Sequence, residues 1–245
     1  MIGTQFGLYQ QNSFDPDSLP GYFAEYSALN PNANGTLPAN NDPVGTWKDL
    51  SPNGYDFSNA TGSEQPLFKT NYFNGKPAIN FTNTKDLIGP SGFLTHVSSG
   101  VFTLYIVMKS ITLTDSVPLV AIADDLANRF NLIVPVFSNL NVYMDYGDAG
   151  NGKRINVLES DIYTGAPFIH AFQANTPALS LFRNNTTIGT NNNCGTFNPT
   201  GKLPHMGGGS SLDSYFFHYL CYDAAHDAGE RALAFQYLNS IWGIY

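Results

Sequence analysis

Two acidic side chains that lie two residues apart, Glu159 and Asp161, could support acid–base chemistry. A retaining glycosidase needs two carboxyl groups about 5–5.5 Å apart, one as nucleophile and one as acid and base. A Glu-x-Asp-x-x-Glu pattern on one strand would supply that pair, but Thr164 stands where the second glutamate would be. Since the chain contains only four glutamates, we expect a protein that is not an enzyme.

Oxygen-bearing side chains cluster between Asp145 and Asn151, with Asp148 in the middle of the segment. Carboxylate and carbonyl oxygens in a flexible loop are the ligands that a hard cation such as calcium uses. The pair Asp124-Asp125 is a second candidate of the same kind. Acidic residues beside glycine are also ordinary turn chemistry, so both interpretations stay open. We expect no obligatory cofactor, with calcium at Asp145, Asp148 and Asn151 as the one candidate.

Tyrosines near these polar loops are candidates for a sugar-binding platform. A pyranose stacks its apolar face on an aromatic ring while neighbouring polar groups bind its hydroxyls. The candidates are Tyr143, Tyr146 and Tyr163, with Tyr55 also available, and no single ring stands out. The chain has 14 tyrosines and 18 phenylalanines, so most of its aromatic rings must belong to the core.

Patterns for other kinds of catalysis are weak. The glycine-rich segment 207–211 ends in two serines, but it does not lead into a helix as a nucleophile elbow does. The five histidines form no His-x-His or His-x-x-His pair. His170 and His218 lie on predicted strands, where we expect hydrogen-bonded, partly buried imidazoles and not metal ligands.

The composition excludes some classes of partner. Only 12% of the residues are charged, and the formal net charge is −8. Nucleic-acid binding requires clustered lysine and arginine, whereas the 11 basic residues here are scattered. No apolar run approaches the roughly 20 residues that span a bilayer. We therefore expect neither nucleic-acid binding nor membrane insertion.

The order of elements predicts an extended arm over residues 1–18 and a single domain over residues 19–245. Apolar runs separated by turn residues recur through the domain, as in an antiparallel sandwich. These runs lie at residues 19–26, 44–50, 78–81, 101–110, 117–123, 130–136, 140–146, 154–158, 168–174, 178–183, 203–206 and 215–222.

One amphipathic helix is predicted at the C-terminus, over residues 225–241. Asp227 is a good N-cap, and Glu230 completes an Asp-x-x-Glu capping box. Trp242 and Ile244 are expected to pin the end of the chain against the sandwich. The predicted buried face consists of Ala228, Leu233, Ala234, Tyr237, Leu238 and Ile241.

The two cysteines allow two interpretations. Cys194 lies in a polar turn, and Cys221 lies on the last predicted strand. A disulfide between them would add a few kcal/mol of stability. The alternative is a pair of reduced thiols, with Cys221 buried as a small hydrophobic residue.

Six segments, taken in order, resemble the laminin-G-like or concanavalin A-like jelly-roll family. They are GTWKDLSPNG at 45–54, QPL at 65–67, NGKPAINF at 74–81, FTLYIVM at 102–108, LPHMGGG at 203–209, and the strand, loop and helix at 219–245 with Trp-Gly at 242–243. The resemblance implies an all-β, concanavalin-type jelly-roll β-sandwich of antiparallel strands with one C-terminal α-helix. It also implies a structural role for Trp47.

Function does not follow from that fold, because the family includes lectins, adhesion modules, virion components and a few enzymes. We expect a non-enzymatic binding or display module, such as a phage fibre, tail or capsid-decoration protein that binds host glycans. Residues 1–18 would contact other virion proteins or further copies of this chain. The first alternative is a lectin-like module of a secreted bacterial protein, and the second is a glycoside hydrolase with an unrecognised active site.

The expected location is the virion or the extracellular space. Residues 1–11 have neither a basic segment nor a continuous apolar segment, so we expect no secretory signal there.

Overall fold

The computed structural model describes residues 14–111, 117–121, 128–134, 140–148, 153–159, 166–207 and 212–245. Within these ranges the chain forms strands that pair antiparallel in two sheets, two α-helices and two short 3-10 turns. The strands are β1 (Tyr22–Ser27), β2 (Thr46–Trp47), β3 (Phe57–Ser58), β4 (Leu67–Phe73), β5 (Lys76–Asn83), β6 (Asp86–Ile88), β7 (Val101–Ser110), β8 (Leu119–Ala121), β9 (Arg129–Ile133), β10 (Asn141–Gly147), β11 (Ile155–Leu158), β12 (Phe168–Asn175), β13 (Ala178–Arg183), β14 (Thr186–Asn191), β15 (Pro204–Gly207) and β16 (Leu212–Tyr222). The helices are α1 (Ser91–Ser98) and α2 (Ala228–Trp242), and the 3-10 turns are Pro16–Ser18 and Gly62–Glu64.

The two sheets face each other across one aromatic core. The first sheet has the order β14-β13-β12-β7-β16-β5-β4, and β1 also pairs with β16. The second sheet has the order β11-β10-β9-β8-β15-β6-β3-β2. Phe102 of the first sheet contacts Phe130 of the second, with ring centroids 5.7 Å apart. The predicted all-β jelly-roll sandwich is thereby confirmed.

Strand β7 explains why the sequence contains a nearly continuous apolar run at 101–110. Alternate side chains of a strand point to opposite faces of its sheet. One face of β7 contributes Phe102 to the core between the sheets, and the other places Tyr105 against Phe235 of α2, with ring centroids 5.4 Å apart. A strand that is covered on both faces must be apolar on both faces.

Helix α2 covers the outer face of the first sheet. The predicted capping box is present, since the Asp227 carboxylate accepts from the Glu230 N–H and the Glu230 carboxylate accepts from the Asp227 N–H. The helix ends at Gly243, whose φ of +64° is the left-handed conformation that favours glycine. The predicted buried face needs correction at three positions, because Ala228 is exposed and Leu233 is 44% exposed, whereas Phe235 is fully buried.

Several elements were not predicted from the sequence. Helix α1 buries Phe93, Leu94 and Val97 beneath the end of the sandwich. Strand β14 is largely polar, and β4 has three polar residues in its middle, Lys69, Thr70 and Asn71, so neither strand contains the continuous apolar run by which other strands were recognised. By contrast, β7 and β13 have the predicted boundaries.

The last residues of the predicted arm pack on the domain. Phe14 lies against Tyr237 of α2, with ring centroids 5.7 Å apart. The Tyr222 hydroxyl donates a hydrogen bond of 3.1 Å to the Pro16 carbonyl. Residues 1–13 lie outside the described residues, so the role predicted for the arm stays a prediction.

Three further predictions concern Trp47, the two cysteines and membrane-spanning helices. Trp47 is fully buried in the core, as expected for a structural position. Both cysteines are free thiols, Cys221 buried and Cys194 half-buried. No helix in the described part of the chain is long and apolar enough to cross a membrane.

Candidate functional site

A concave surface among the described residues lies where the edges of the two sheets meet. Gly189 of β14 makes this approach possible, because a Cβ atom there would lie 2.5 Å from Cγ2 of Val157 in β11. Beside this contact is a cleft of about 570 Å³, which we call the edge cleft. It is lined by Val157, Leu158, Glu159, Arg183, Asn184, Thr186 and Ile188.

A charged group forms the base of the edge cleft. Glu159 is only 5% exposed, and its Oε2 accepts a hydrogen bond of 2.9 Å from Nε2 of His170. Its Oε1 lies 3.8 Å from Nη1 of Arg183 and has no hydrogen-bond partner among the described residues. The guanidinium of Arg183 lies above the Phe168 ring, 5.5 Å from its centroid. The cleft therefore has a buried carboxylate whose charge is compensated but whose hydrogen bonding is incomplete.

The rim of the cleft is set by the β13–β14 hairpin. Asn184 and Asn185 have positive φ angles of 46° and 64°, as a two-residue type I′ turn requires. The Asn184 Oδ1 accepts a hydrogen bond from the Ile169 N–H, so its amide NH2 is the group that can donate. Thr186 is exposed beside it, and Leu158 across the cleft is 64% exposed. Hydrogen-bond donors thus face an apolar wall.

A second group of side chains lies on the outer face of the second sheet, next to the cleft. In β10, Tyr143 and Asp145 alternate with core residues and therefore share that face. Arg154 donates two hydrogen bonds of 2.7 Å to Asp145, and its guanidinium carbon lies 4.2 Å from the Tyr143 ring centroid. Burial lowers the pKa of Arg154, but its hydrogen bonds to Asp145 raise it more, so the net pKa is above the ordinary value.

Strand pairing joins this group to the edge cleft. Asn156 lies opposite Tyr143, and Leu158 lies opposite Asn141. Side chains of paired residues share one face, so Leu158, which lines the cleft, lies on the same face of the second sheet as Tyr143. We call Tyr143, Arg154, Asn141 and Asn156 the Tyr143 patch. The Asn141 amide also donates to the Asn156 side chain, which fixes both amides.

The three tyrosines predicted for sugar binding have different surroundings. Tyr143 is half-exposed in the patch just described. Tyr146 is 1% exposed, and its hydroxyl donates a hydrogen bond of 2.9 Å to the Val97 carbonyl, so it offers no ring face to a ligand. Burial raises the pKa of the Tyr146 phenol. Tyr163 lies outside the described residues.

The two described residues among those predicted to hold calcium, Asp145 and Asp148, both lie in ion pairs with basic side chains. Both Asp145 oxygens are bound by Arg154, and Arg129 lies 3.6 Å away, so this buried carboxylate does not fit a calcium ligand. Asp148 lies 3.2 Å from Nζ of Lys153. In the described part of the chain, no three histidine, cysteine or acidic side chains converge as metal ligands. Asn151, Asp124 and Asp125 lie outside it, so calcium there stays a prediction.

The two histidines predicted to be partly buried and hydrogen-bonded are almost completely buried, and Nδ1 of His170 has no hydrogen-bond partner among the described residues. His170 and His218 are buried, and each lies 2.9 Å from a glutamate oxygen, of Glu159 and Glu25 respectively. The sequence analysis did not connect His170, Arg183 and Glu159. Only the opposed positions of His170 and Arg183 in a predicted hairpin could have suggested that these two meet.

No protein-family model and no curated protein matches the sequence. Solved structures with similar folds do exist. Domain 4 of AbnA, an extracellular GH43 arabinanase from Geobacillus stearothermophilus solved with arabinotriose, aligns with a TM-score of 0.62. The identity is 14%, and the alignment covers 87% of this chain and 98% of that domain.

Two further similarities involve longer proteins. A botulinum neurotoxin type C structure, whose description concerns interaction with two ganglioside molecules, aligns with a TM-score of 0.56 and 10% identity over 89% of this chain and 51% of that chain. The Trypanosoma rangeli sialidase aligns with a TM-score of 0.53 and 10% identity over 90% of this chain and 33% of that chain. This chain thus spans about half of the toxin chain and a third of the sialidase. At these identities the similarity defines the class of fold, a β-sandwich consistent with the concanavalin-like type.

Proposed function

We propose that this protein is a glycan-binding module that acts without catalysis, through the edge cleft and the adjoining Tyr143 patch. The observation that carries the proposal is the lining of the cleft. Arg183, the Asn184 amide and Thr186 provide hydrogen-bonding groups on one side, and Leu158 provides an exposed apolar surface on the other.

These groups match the chemistry of a sugar. Hydroxyl oxygens accept hydrogen bonds from guanidinium and amide N–H groups, and the C–H face of the ring packs on apolar side chains. The Tyr143 patch extends this surface with a half-exposed ring and two asparagine amides. A site that continues from the cleft to Tyr143 fits an oligosaccharide better than a single sugar.

The structural neighbours support the same class of ligand. The arabinanase domain was solved in complex with arabinotriose, and the description of the neurotoxin concerns gangliosides. The sialidase is a larger protein, of which this chain spans a third. The described residues that line the cleft include one carboxylate, Glu159, whereas a glycosidase of the ordinary kind uses two. Binding without hydrolysis is therefore the better proposal.

The test is a glycan array, followed by calorimetry with the best oligosaccharide. Replacing Leu158→Ala removes apolar contact worth about 1 kcal/mol and should weaken binding about fivefold. Leu37→Ala is the matched control, since Leu37 is also an exposed leucine, at 50%. It precedes the residues that hydrogen-bond to β4. Strand β4 is the edge strand of the first sheet at the end opposite to β14, which lines the cleft. Equal losses in both variants, or no binding by the wild type, would exclude the site. Release of reducing ends from the bound glycan would instead favour the glycoside hydrolase.

We propose further that the module is displayed on a virion, where it binds host glycans and associates through its first residues. The low charge and the predicted arm support this role. Residues 14–18 pack on the domain, so the informative deletion removes only residues 1–13. Light scattering should then detect a folded monomer in place of an oligomer. A wild-type monomer that binds glycans would favour the lectin-like module of a secreted bacterial protein.

A further inference from the structure

We infer that the edge cleft selects neutral glycans over acidic ones, because its lining arginine is already committed to a buried glutamate. This inference rests on the proposed glycan-binding function and specifies the class of glycan. It concerns three side chains. Glu159 lies just after β11, His170 lies on β12, and Arg183 is the last residue of β13.

Glu159 depends on Arg183 for compensation of its charge. The carboxylate is 5% exposed, and an ionised carboxylate in such a place is costly unless it is paired and hydrogen-bonded. His170 supplies the one hydrogen bond, at 2.9 Å to Oε2. In the described part of the chain, Oε1 has no hydrogen bond, and its ion-pair partner is the Arg183 guanidinium at 3.8 Å. Any ligand that draws Arg183 away leaves Glu159 poorly compensated.

An acidic sugar would do this. Arg183 is the only cationic side chain among the described residues that line the cleft, and Arg154 of the adjoining patch is bound by both Asp145 oxygens, so a sugar carboxylate in the cleft would pair with Arg183. It would then share one guanidinium with Glu159 and place a second negative charge a few ångströms from the first. Like charges at such a separation in a partly buried site repel strongly. The net charge of −8 adds a weaker, longer-range repulsion.

A neutral sugar avoids both costs. Its hydroxyl oxygens accept hydrogen bonds from the Arg183 N–H groups and from the Asn184 amide, while the ion pair with Glu159 stays in place. Its ring packs on Leu158, which is 64% exposed. The charge of the cleft is balanced before the ligand arrives, and a neutral ligand keeps it balanced.

The experiment compares matched ligands on the full-length protein by calorimetry. The probes are the neutral hexose oligosaccharide that ranks highest on the array, and the same compound oxidised at its primary hydroxyls to uronates. Wild type should bind the neutral form at least about tenfold more tightly, which corresponds to about 1.4 kcal/mol. In Glu159→Gln, which removes the charge and keeps the shape, the ratio of the two dissociation constants should fall to about two or less. A melting curve establishes that the variant is folded.

The outcomes separate the two proposals. A wild type that binds no glycan overturns the proposed function and this inference together. A wild type that binds the uronate or sialylated glycans as tightly as neutral ones overturns the inference alone, and this comparison requires no variant. A folded Glu159→Gln protein that discriminates as strongly as the wild type also overturns it, because the selection would then have another source.

Discussion

The indole of Trp242 donates a hydrogen bond to the imidazole of His218, with Nε1 and Nδ1 3.4 Å apart. Since an indole N–H can only donate, Nδ1 must accept, and Nε2 carries the proton that faces Glu25 Oε1 at 2.9 Å. This arrangement fixes the histidine tautomer. It also connects the end of α2 to the centre of the first sheet, so that the last turn of the chain contributes to the fold of the sandwich.

Replacing Trp242→Phe should lower the free energy of unfolding by about 2–4 kcal/mol. The substitution removes buried ring volume and leaves Nδ1 of His218 without its donor. Urea denaturation followed by circular dichroism measures the effect. Leu233→Ala, an exposed position on the same helix, is the control and should change stability by less than about 0.5 kcal/mol. Similar losses in the two variants would mean that α2 contributes little through Trp242.

The buried His226 should make stability depend on pH. Burial lowers its pKa below the ordinary value of 6.5, and its ring nitrogens lie 2.9 Å from the Tyr105 hydroxyl and 3.2 Å from the Pro20 carbonyl. The unfolded chain therefore binds a proton on this histidine at a higher pH than the native protein does. The stability that its neutral state provides is complete above pH 6.5 and declines as the pH falls from there through the lowered native pKa.

The measurement is the urea midpoint from pH 8 to pH 5, for wild type and for His226→Gln. Glutamine can still accept from Tyr105 and donate to the Pro20 carbonyl, but it does not titrate in this range. The variant should therefore show a shallower decline below about pH 6.5. Between pH 7.5 and 8 the two proteins should have parallel curves, which provides an internal control. An unchanged slope below pH 6.5 in the variant would assign the pH dependence to other groups.

The fold was predictable where one physical rule dominates a segment. The apolar run of β7 has no other explanation than a strand buried on both faces, and the Asp227–Glu230 pair defines the start of α2 by local hydrogen bonding alone. Helix α1 could not be predicted in this way. It is eight residues long, it has no side-chain cap, and its stability comes from Phe93, Leu94 and Val97 packing under the sandwich.

The candidate site was less accessible from the sequence because it is made by contacts between sheets. Glu159, His170 and Arg183 meet only when the edges of two sheets approach each other, and no local spacing encodes that approach. The sequence did identify Tyr143 and Asp145 as notable. It could not show that Arg154, nine residues after Asp145, would bind both of its oxygens.

Asp145 should therefore contribute to stability through Arg154 and not through calcium. Asp145→Asn removes the charge that holds two partly buried arginines, and we expect a loss of about 2–4 kcal/mol in the free energy of unfolding. Lys48→Gln, which breaks the exposed pair with Asp56, is the control and should cost less than about 1 kcal/mol.

Glycan binding should also weaken in Asp145→Asn, since Arg154 would no longer be fixed over Tyr143. Any effect of calcium on the melting temperature of the wild type should persist in Asp145→Asn, because Arg154 already binds both oxygens of that carboxylate. A calcium-dependent rise that is lost in Asp145→Asn would contradict this assignment and restore the cation site.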